Sequence, residues 1–212
     1  EKGEMDLPEA TVFITGANEW RGFDTWPPID ATEQSLYLQP GGGLAFSPPA
    51  VTGDSFVEYV ADPMKPVPYT EDVHLRRTRE YMTDDQRFAA RRPDVMVYET
   101  EVLSESVTLT GPLTVDFWVS TTGTDADYVV KLIDVFPDDL KDYPENKQQV
   151  PMAGYQMLVR GDILRGRFRS SFEKPEPFVP GEMTRVTFEI PDVAHSFEPG
   201  HRIMIQVQNS WF

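Results

Sequence analysis

Apolar side chains at every second position are the feature of this sequence that most constrains its fold. Across residues 113–119 the odd positions are apolar, while Thr114 and Asp116 between them are polar. The same period recurs across residues 186–190 and 203–207. A period of two is that of a half-buried β-strand, so the chain is predicted to fold as sheets rather than helices.

Further segments extend this prediction along the chain. Residues 128–136 are apolar on both faces, which is typical of a central strand in a sandwich. Other predicted strands cover residues 10–15, 35–39, 56–60, 95–100, 155–164 and 167–172. The best helical candidate lies within residues 71–88 and is short and highly charged. Many short strands with Gly- and Pro-bearing connections indicate an antiparallel sandwich or barrel. Because no linker divides it, the chain is predicted to be one domain over residues 1–212.

Charge and composition exclude several function classes. The net charge of −16 repels phosphate backbones and anionic lipid surfaces, so neither nucleic acid nor a membrane is an expected partner. The absence of cysteine excludes disulfides, thiolate metal sites and cysteine nucleophiles. The chain begins without Met and ends on the strand-like residues 202–212, so we expect it to be a fragment of a larger protein.

Neither a catalytic residue nor a metal ligand is predicted. No serine stands in a Gly-x-Ser-x-Gly elbow. The three histidines, His74, His195 and His201, are predicted to be turn or surface residues without catalytic partners.

Two acidic pairs, at residues 125/127 and 138/139, raise calcium as a hypothesis. Turn capping by these side chains is the favoured interpretation. We therefore predict no metal and no cofactor.

A cluster of aromatic residues has two interpretations. Trp20, Phe23 and Trp26 lie close together before the pair Pro27-Pro28. They could form a platform on which a sugar stacks, or they could pack against a neighbouring domain, which is the more frequent role.

Eight strings, in this order, resemble one known family. They are FITGANEWRGFDTW (13–26), LYLQPGGGLAF (36–46), DPMKPVP (62–68), DQR (85–87), RPDV (92–95), TDADYVVKLIDVFP (124–137), GRFR (166–169) and PGHRIMIQV (199–207). Together they resemble the C-terminal domain of the cocaine esterase and X-Pro dipeptidyl-peptidase-like serine hydrolases. The likeness is greatest to the α-amino acid ester hydrolases, also described as glutaryl-7-aminocephalosporanic acid acylases.

The resemblance implies an all-β fold, a jelly-roll β-sandwich of the galactose-binding-domain-like type. It also implies that the Ser, Asp and His of the triad lie upstream, in an α/β-hydrolase domain with a helical cap. Acyl transfer to the serine and then to water would be the parent's reaction. The chain itself would be non-catalytic, and its partners would be those two domains of its own polypeptide. A homo-oligomer is left open, and a periplasmic or secreted location is expected, with the cytoplasm not excluded.

Within this interpretation, residues 74–82 precede Asp-Gln-Arg (85–87) and form the least sheet-like segment. We therefore place His74, Leu75, Tyr81 and Met82 at the rim of the parent's acyl pocket.

Trp20, Trp26 and Arg87 are the predicted interdomain contacts. Two alternatives remain: an independent carbohydrate-binding module that uses Trp20, Trp26 or Trp118, and an interaction domain unrelated to hydrolysis.

Overall fold

Ten β-strands and one short α-helix make up the regular structure of the described residues, which are 7–50, 55–76, 78–144, 146 and 149–212 of a computed structural model. The strands are β1 (Ala10–Ile14), β2 (Glu19–Phe23), β3 (Tyr37–Leu38), β4 (Leu44–Ala45), β5 (Val95–Glu99), β6 (Val107–Val119), β7 (Asp127–Val135), β8 (Gln156–Arg165), β9 (Thr184–Phe197) and β10 (Arg202–Gln208). The helix α1 covers Arg87–Ala90, and single 3-10 turns cover Pro40–Gly42, Glu80–Met82 and Gly166–Phe168.

Two antiparallel sheets face each other. The first has four strands in the order β5-β10-β7-β8, and the second pairs the long strands β6 and β9. The β1-β2 hairpin continues beside β9 through a bridge between Thr15 and His195, and β3 pairs with β4. The predicted all-β jelly-roll sandwich is confirmed.

The core fills the space between the two sheets. Val130 and Val207 of the four-stranded sheet pack against Val115 and Ile190 of the two-stranded sheet. Neighbouring clusters are formed around Phe197 and around Phe178. Each strand contributes alternate residues to this layer, as the period of two predicted.

The opposite face of the four-stranded sheet is also covered. Residues 55–94, here called the covering segment, cross this outer face, and Val67, Phe88 and Ala89 pack on Val95 and Val97 of β5. Since β7 is buried on both sides, the prediction of a central strand over residues 128–136 is confirmed.

Two predicted strands and the predicted helix are wrong among the described residues. Residues 56–60 pair with no strand and are largely exposed, although four of the five are apolar or aromatic. Residues 167–172 turn away instead, because Asp125 accepts hydrogen bonds from the Arg167 backbone and side chain and Gly166 packs against Phe178. The region 71–88 contains only the Glu80–Met82 turn and the start of α1.

Candidate interdomain surface and buried polar groups

The predicted rim residues gather around the last two residues of the chain. His74 and Leu75 line a shallow pocket together with Tyr69, Trp211 and Phe212.

Tyr81 makes an edge-to-face contact with Trp211, with ring centroids 5.7 Å apart, and its ring lies 6.0 Å from that of Tyr69. Met82 is exposed at the end of the same 3-10 turn. The structure therefore places His74, Leu75, Tyr81 and Met82 in one region, and we call this region, together with Tyr69, Trp211 and Phe212, the rim.

Backbone pairing fixes the rim to the end of the chain. The Phe212 amide donates to the Val67 carbonyl at 2.9 Å, and the Tyr69 amide donates to the Phe212 carbonyl at 2.8 Å. His74 Nε2 lies 3.1 Å from a carboxylate oxygen of Glu80, which ties the two ends of the rim together. The rim is therefore an ordered part of the domain, although it has little regular secondary structure.

Large apolar side chains are exposed along the covering segment and at the end of the chain. They are Phe56, Val57, Val60, Met64, Val73, Leu75, Met82 and Phe212. Val73 and Leu75 are fully exposed, at 100% and 103%. In a chain with a net charge of −16, such a concentration of apolar side chains is typical of a surface that another protein or domain covers.

Beneath this surface lies a buried lysine. Lys131 of β7 is fully buried on the outer face of the four-stranded sheet. Its Nζ donates to Gln86 Oε1 at 3.0 Å and lies 5.3 Å and 5.8 Å from the ring centres of Trp211 and Phe88. Burial lowers the pKa of Lys131 to about 7.

Polar atoms without partners accompany this lysine. The Oε1 atoms of Gln206 and Gln208 are buried and accept no hydrogen bond from the described residues, and the Trp211 Nε1 atom is buried without an acceptor. Gln206 lies directly opposite Lys131 in the register of β10 and β7, and Gln208 follows on the same face. The outer face thus holds a polar cluster inside an apolar layer.

The predicted interdomain contacts lie on three separate parts of the chain. Trp20 is largely exposed on β2 and packs against Phe13, with ring centroids 5.4 Å apart. Trp26 donates to Asp192 and packs against Phe23.

Trp118, the third aromatic residue of the sugar-platform hypothesis, is exposed on β6. The three tryptophans therefore stand on different elements.

Arg87 lies at one end of the four-stranded sheet, in a polar cleft of about 650 Å³. It is held by the carboxylate of Asp85 at the start of α1. Glu99 and Arg202 line the same cleft, and burial raises the pKa of Glu99. Arg87 is partly exposed, and within this domain its contact with Asp85 lies next to the start of α1.

One histidine is not where the sequence predicted. His195 is fully buried, and its Nε2 lies 3.2 Å from Asp134 Oδ2. His201 Nδ1 lies 2.8 Å from the other oxygen of Asp134, and Thr15 Oγ1 lies 2.8 Å from His195 Nδ1. The prediction of a surface position is wrong for His195, whereas His74 is at the surface and His201 is in a turn.

The chain of hydrogen bonds from Thr15 to His201 links the two sheets. Asp134 belongs to β7 and His195 to β9, so this contact crosses the sandwich. The Thr15 hydroxyl lies 3.1 Å from the Ala194 carbonyl as well, which occupies it within the backbone. Among the described residues, this cluster has the geometry of a structural tie between the sheets.

In the first of the two acidic pairs, Asp125 carries structural bonds. Asp125 accepts hydrogen bonds from Arg165 at 2.7 Å and from Arg167 at 2.5 Å, and these bonds lower its pKa against the opposing effect of burial, which is the larger single cause. Over the residues that the structure describes, no group of three or more His, Cys, Asp or Glu side chains is placed to hold a metal ion. Nor does any helix in those residues reach the length and apolarity needed to cross a membrane.

A sandwich whose buried polar groups tie strands together and whose exposed apolar segment lies on one side belongs to the class of accessory domains. Residues 2–211 match the family described as the X-Pro dipeptidyl-peptidase C-terminal non-catalytic domain. The chain belongs to this family. It is a non-catalytic C-terminal domain of the kind found in the CocE/NonD and X-Pro dipeptidyl-peptidase serine hydrolases, as the resemblance implied.

Known relatives agree in sequence and in fold. The chain is 32% identical over 224 residues to the cocaine esterase of a Rhodococcus species, covering 100% of this chain and 36% of the esterase. It is similar to the crystal structure of an aminopeptidase from a marine sediment Thaumarchaeota archaeon, with 42% identity, a TM-score of 0.88, and 99% and 34% of the two chains covered.

An α-amino acid ester hydrolase structure is similar with 39% identity, a TM-score of 0.89, and 99% and 35% of the two chains covered. The chain thus spans about a third of the length of these relatives.

Proposed function

We propose that this domain docks on an α/β-hydrolase domain and a helical cap of its own polypeptide, and that its rim forms part of the wall of the substrate pocket. The parent protein would be a serine hydrolase of ester or amide bonds. The relatives described as a cocaine esterase, an aminopeptidase and an α-amino acid ester hydrolase support this range of substrates.

One observation carries the proposal: exposed apolar side chains stand here on hydrogen-bonded backbone. Leu75 is fully exposed and Phe212 is 81% exposed, while the backbone of Phe212 is hydrogen-bonded on both sides. Exposed apolar area held in a fixed shape suits a docking surface better than a flexible loop does. Arg76 lines the same pocket, so the rim presents apolar side chains beside a basic one.

The test is a kinetic comparison of two methionine variants in the full-length hydrolase. Met82→Ala removes apolar contact at the rim, whereas Met183→Ala makes the same change at an exposed turn before β9. We expect Met82→Ala to change KM by about tenfold for at least one of several esters and amides, because apolar pocket contacts are worth that much. Met183→Ala should leave KM unchanged.

The result that contradicts the proposal is an unchanged KM for Met82→Ala with every substrate. The KM of Tyr81→Ala is a second test, since Tyr81 packs on Trp211 within the rim. If both variants behave like Met183→Ala, the rim does not contact substrate.

Export to the periplasm or medium is part of the same proposal and is supported by the family resemblance. Cell fractionation of the full-length protein tests it, and a protein confined to the cytoplasm would contradict it. A homo-oligomer is left open, and light scattering of the full-length protein decides it.

A further inference from the structure

We propose that Lys131 is a positioning residue for the rim, and that its buried ammonium group fixes Trp211 and Gln86 from beneath. The structural part of this proposal depends only on contacts within the domain. Its consequence for substrate binding rests on the proposed function.

Lys131 contacts both sides of the rim. Its Nζ donates to Gln86 Oε1 at 3.0 Å, just before α1, and lies 5.3 Å from the centre of the Trp211 ring. Trp211 in turn contacts Tyr81 edge to face at 5.7 Å. A cation over an aromatic ring is attracted by the electron-rich face, so the ammonium group favours one placement of the indole. The placement of Tyr81 follows from that of the indole.

The fold makes room for a lysine at this position. A Cβ atom on Gly161, which lies opposite Lys131 on β8, would be only 3.4 Å from Lys131 Cγ. An ammonium group has three donors, and the structure assigns one of them to Gln86. The buried Oε1 atoms of Gln206 and Gln208 lie on the same face but accept no hydrogen bond from the described residues. The lysine side chain is therefore accommodated beside Gly161 and fixed by its bond to Gln86.

The charge state of this group can change near neutral pH. Burial lowers the pKa of Lys131 to about 7. The neighbouring strands present Gln206 and Gly161 at this level, which are uncharged. Two charged pairs lie near Gln86 and in the rim: Asp85 holds Arg87, and His74 lies against Glu80. Arg76 also lines the pocket that contains Trp211.

Asp84 also precedes Gln86, and its backbone carbonyl accepts from the Gln86 side chain. Loss of the Lys131 proton therefore removes the attraction for the indole while its neighbours keep their partners. Trp211 should report that loss directly.

Fluorine NMR of protein labelled with fluorotryptophan tests the positioning role, with Trp211→Phe used to assign the resonance. We expect the Trp211 signal to shift with pH, with a midpoint near the pKa of Lys131, in the wild type and in H74Q, which removes the rim imidazole. The shift should disappear in K131M. It should persist in K174M, which removes the same charge from an exposed loop.

The proposal is overturned if the Trp211 signal does not respond to pH in the wild type, or if it responds equally in K131M. If K131M does not fold, the wild-type and H74Q titrations still decide, because a response that vanishes in H74Q belongs to His74.

Kinetics of the full-length hydrolase then separate this inference from the proposed function. A positioning role predicts that K131M raises KM severalfold with kcat unchanged, and that K174M changes neither. A Trp211 signal that depends on Lys131 together with an unchanged KM would overturn the pocket-wall function and support the positioning role within the domain.

Discussion

The outer faces of the two sheets differ, although both point away from the sandwich core. On β6 and β9 the outer face is polar: Asp116 accepts hydrogen bonds from Arg185 at 2.8 Å and 2.6 Å, and Thr114 is exposed. On β7 and β10 the outer face is fully buried and carries Ile133 and Met204. One face contacts water, and the other requires a cover.

The difference shows that an irregular segment covering a sheet face buries some of its apolar side chains and exposes others. The covering segment buries Val67 and Ala89 against the sheet and exposes Val73 and Leu75 on its other side. The outer side of the covering segment therefore has exposed apolar area that a further domain can bury. The buried polar cluster around Lys131 lies between these two layers.

Truncation of a buried residue on the covered face should have the largest effect. Ile133→Ala should lower the free energy of unfolding by about 2–5 kcal/mol, because Ile133 is fully buried and leaves a cavity. The matched change on the polar face, Thr114→Ala, should stay within about 0.5 kcal/mol. Urea unfolding of both variants measures the difference, and equal effects would show that the faces do not differ.

The pH dependence of stability should separate Lys131 from its surroundings. The folded pKa of Lys131 is about 7 and its ordinary value is 10.5, so between these values the unfolded chain binds more protons than the folded chain. Stability should therefore rise with pH over this window. Between about pH 7 and pH 9 the wild type should gain roughly 2 kcal/mol relative to K131M.

Unfolding at several pH values checks this prediction, and parallel curves for the two proteins would refute it. The measured range, about pH 7 to pH 9, lies below the ordinary tyrosine pKa of 10.0. Burial raises the pKa of Tyr128 to about 12, so tyrosine ionisation lowers stability only above about pH 10.

A smaller effect is expected from a methyl group next to Lys131. Gly161→Ala places a Cβ atom 3.1 Å from the Val130 carbonyl and 3.4 Å from Lys131 Cγ, so it should cost about 1–3 kcal/mol through overpacking. Gly123→Ala is the control, since its Cβ atom would meet its neighbours at ordinary distances of 3.7 Å or more. Thermal unfolding measures both, and an unaffected Gly161→Ala would mean that the covered face is loosely packed.

The exposed ion pair should give the smallest effect. The hydrogen bond from Arg185 lowers the pKa of Asp116, so any stabilisation is present above the ordinary carboxyl pKa and is lost as the pH falls through the folded value. Because both side chains are exposed, Asp116→Asn should barely change the urea midpoint at neutral pH, and added salt should remove the difference. A clear, salt-independent loss would show that the polar face also supports the fold.

Strand prediction succeeded where the pattern of apolar residues is regular along one strand. Strands β6, β9 and β10 were anticipated from alternation and β7 from apolar residues on both faces, since both patterns are local signals. Residues 56–60 are also mostly apolar or aromatic, but no described strand pairs with them, and pairing cannot be read from local sequence. The jelly-roll assignment rested on the family resemblance.

His195 was predicted to lie in a turn or at the surface, whereas a register shift in β9 places it on the inner face. Counting by twos from Ile190 places residues 192, 194 and 196 on the inner face. However, the pairing of β6 and β9 shifts between Gly111 and Leu113, so Val193 and His195 face inward instead. Asp134, a lone carboxylate in a strand apolar on both faces, was the signal in the sequence that could have indicated a buried partner.

The rim was predicted from its lack of sheet pattern, but the cluster beneath it was not. Lys131 lies in an apolar strand, and its burial depends on the covering segment, which is distant in sequence from β7. Trp211 and Gln86 are brought to it only by the tertiary fold. Contacts between residues that are distant in sequence leave no periodic pattern, so periodicity could not predict them.

Chemical modification of single cysteines in the full-length hydrolase tests the docking surface most directly, because this chain contains no cysteine of its own. Leu75→Cys probes the rim and Thr187→Cys probes the polar face, and both positions are exposed in this domain. We expect the thiol at position 75 to react far more slowly than the thiol at position 187, and both to react alike after unfolding in urea. Equal rates in the native hydrolase would show that no domain covers the rim, and would contradict the account.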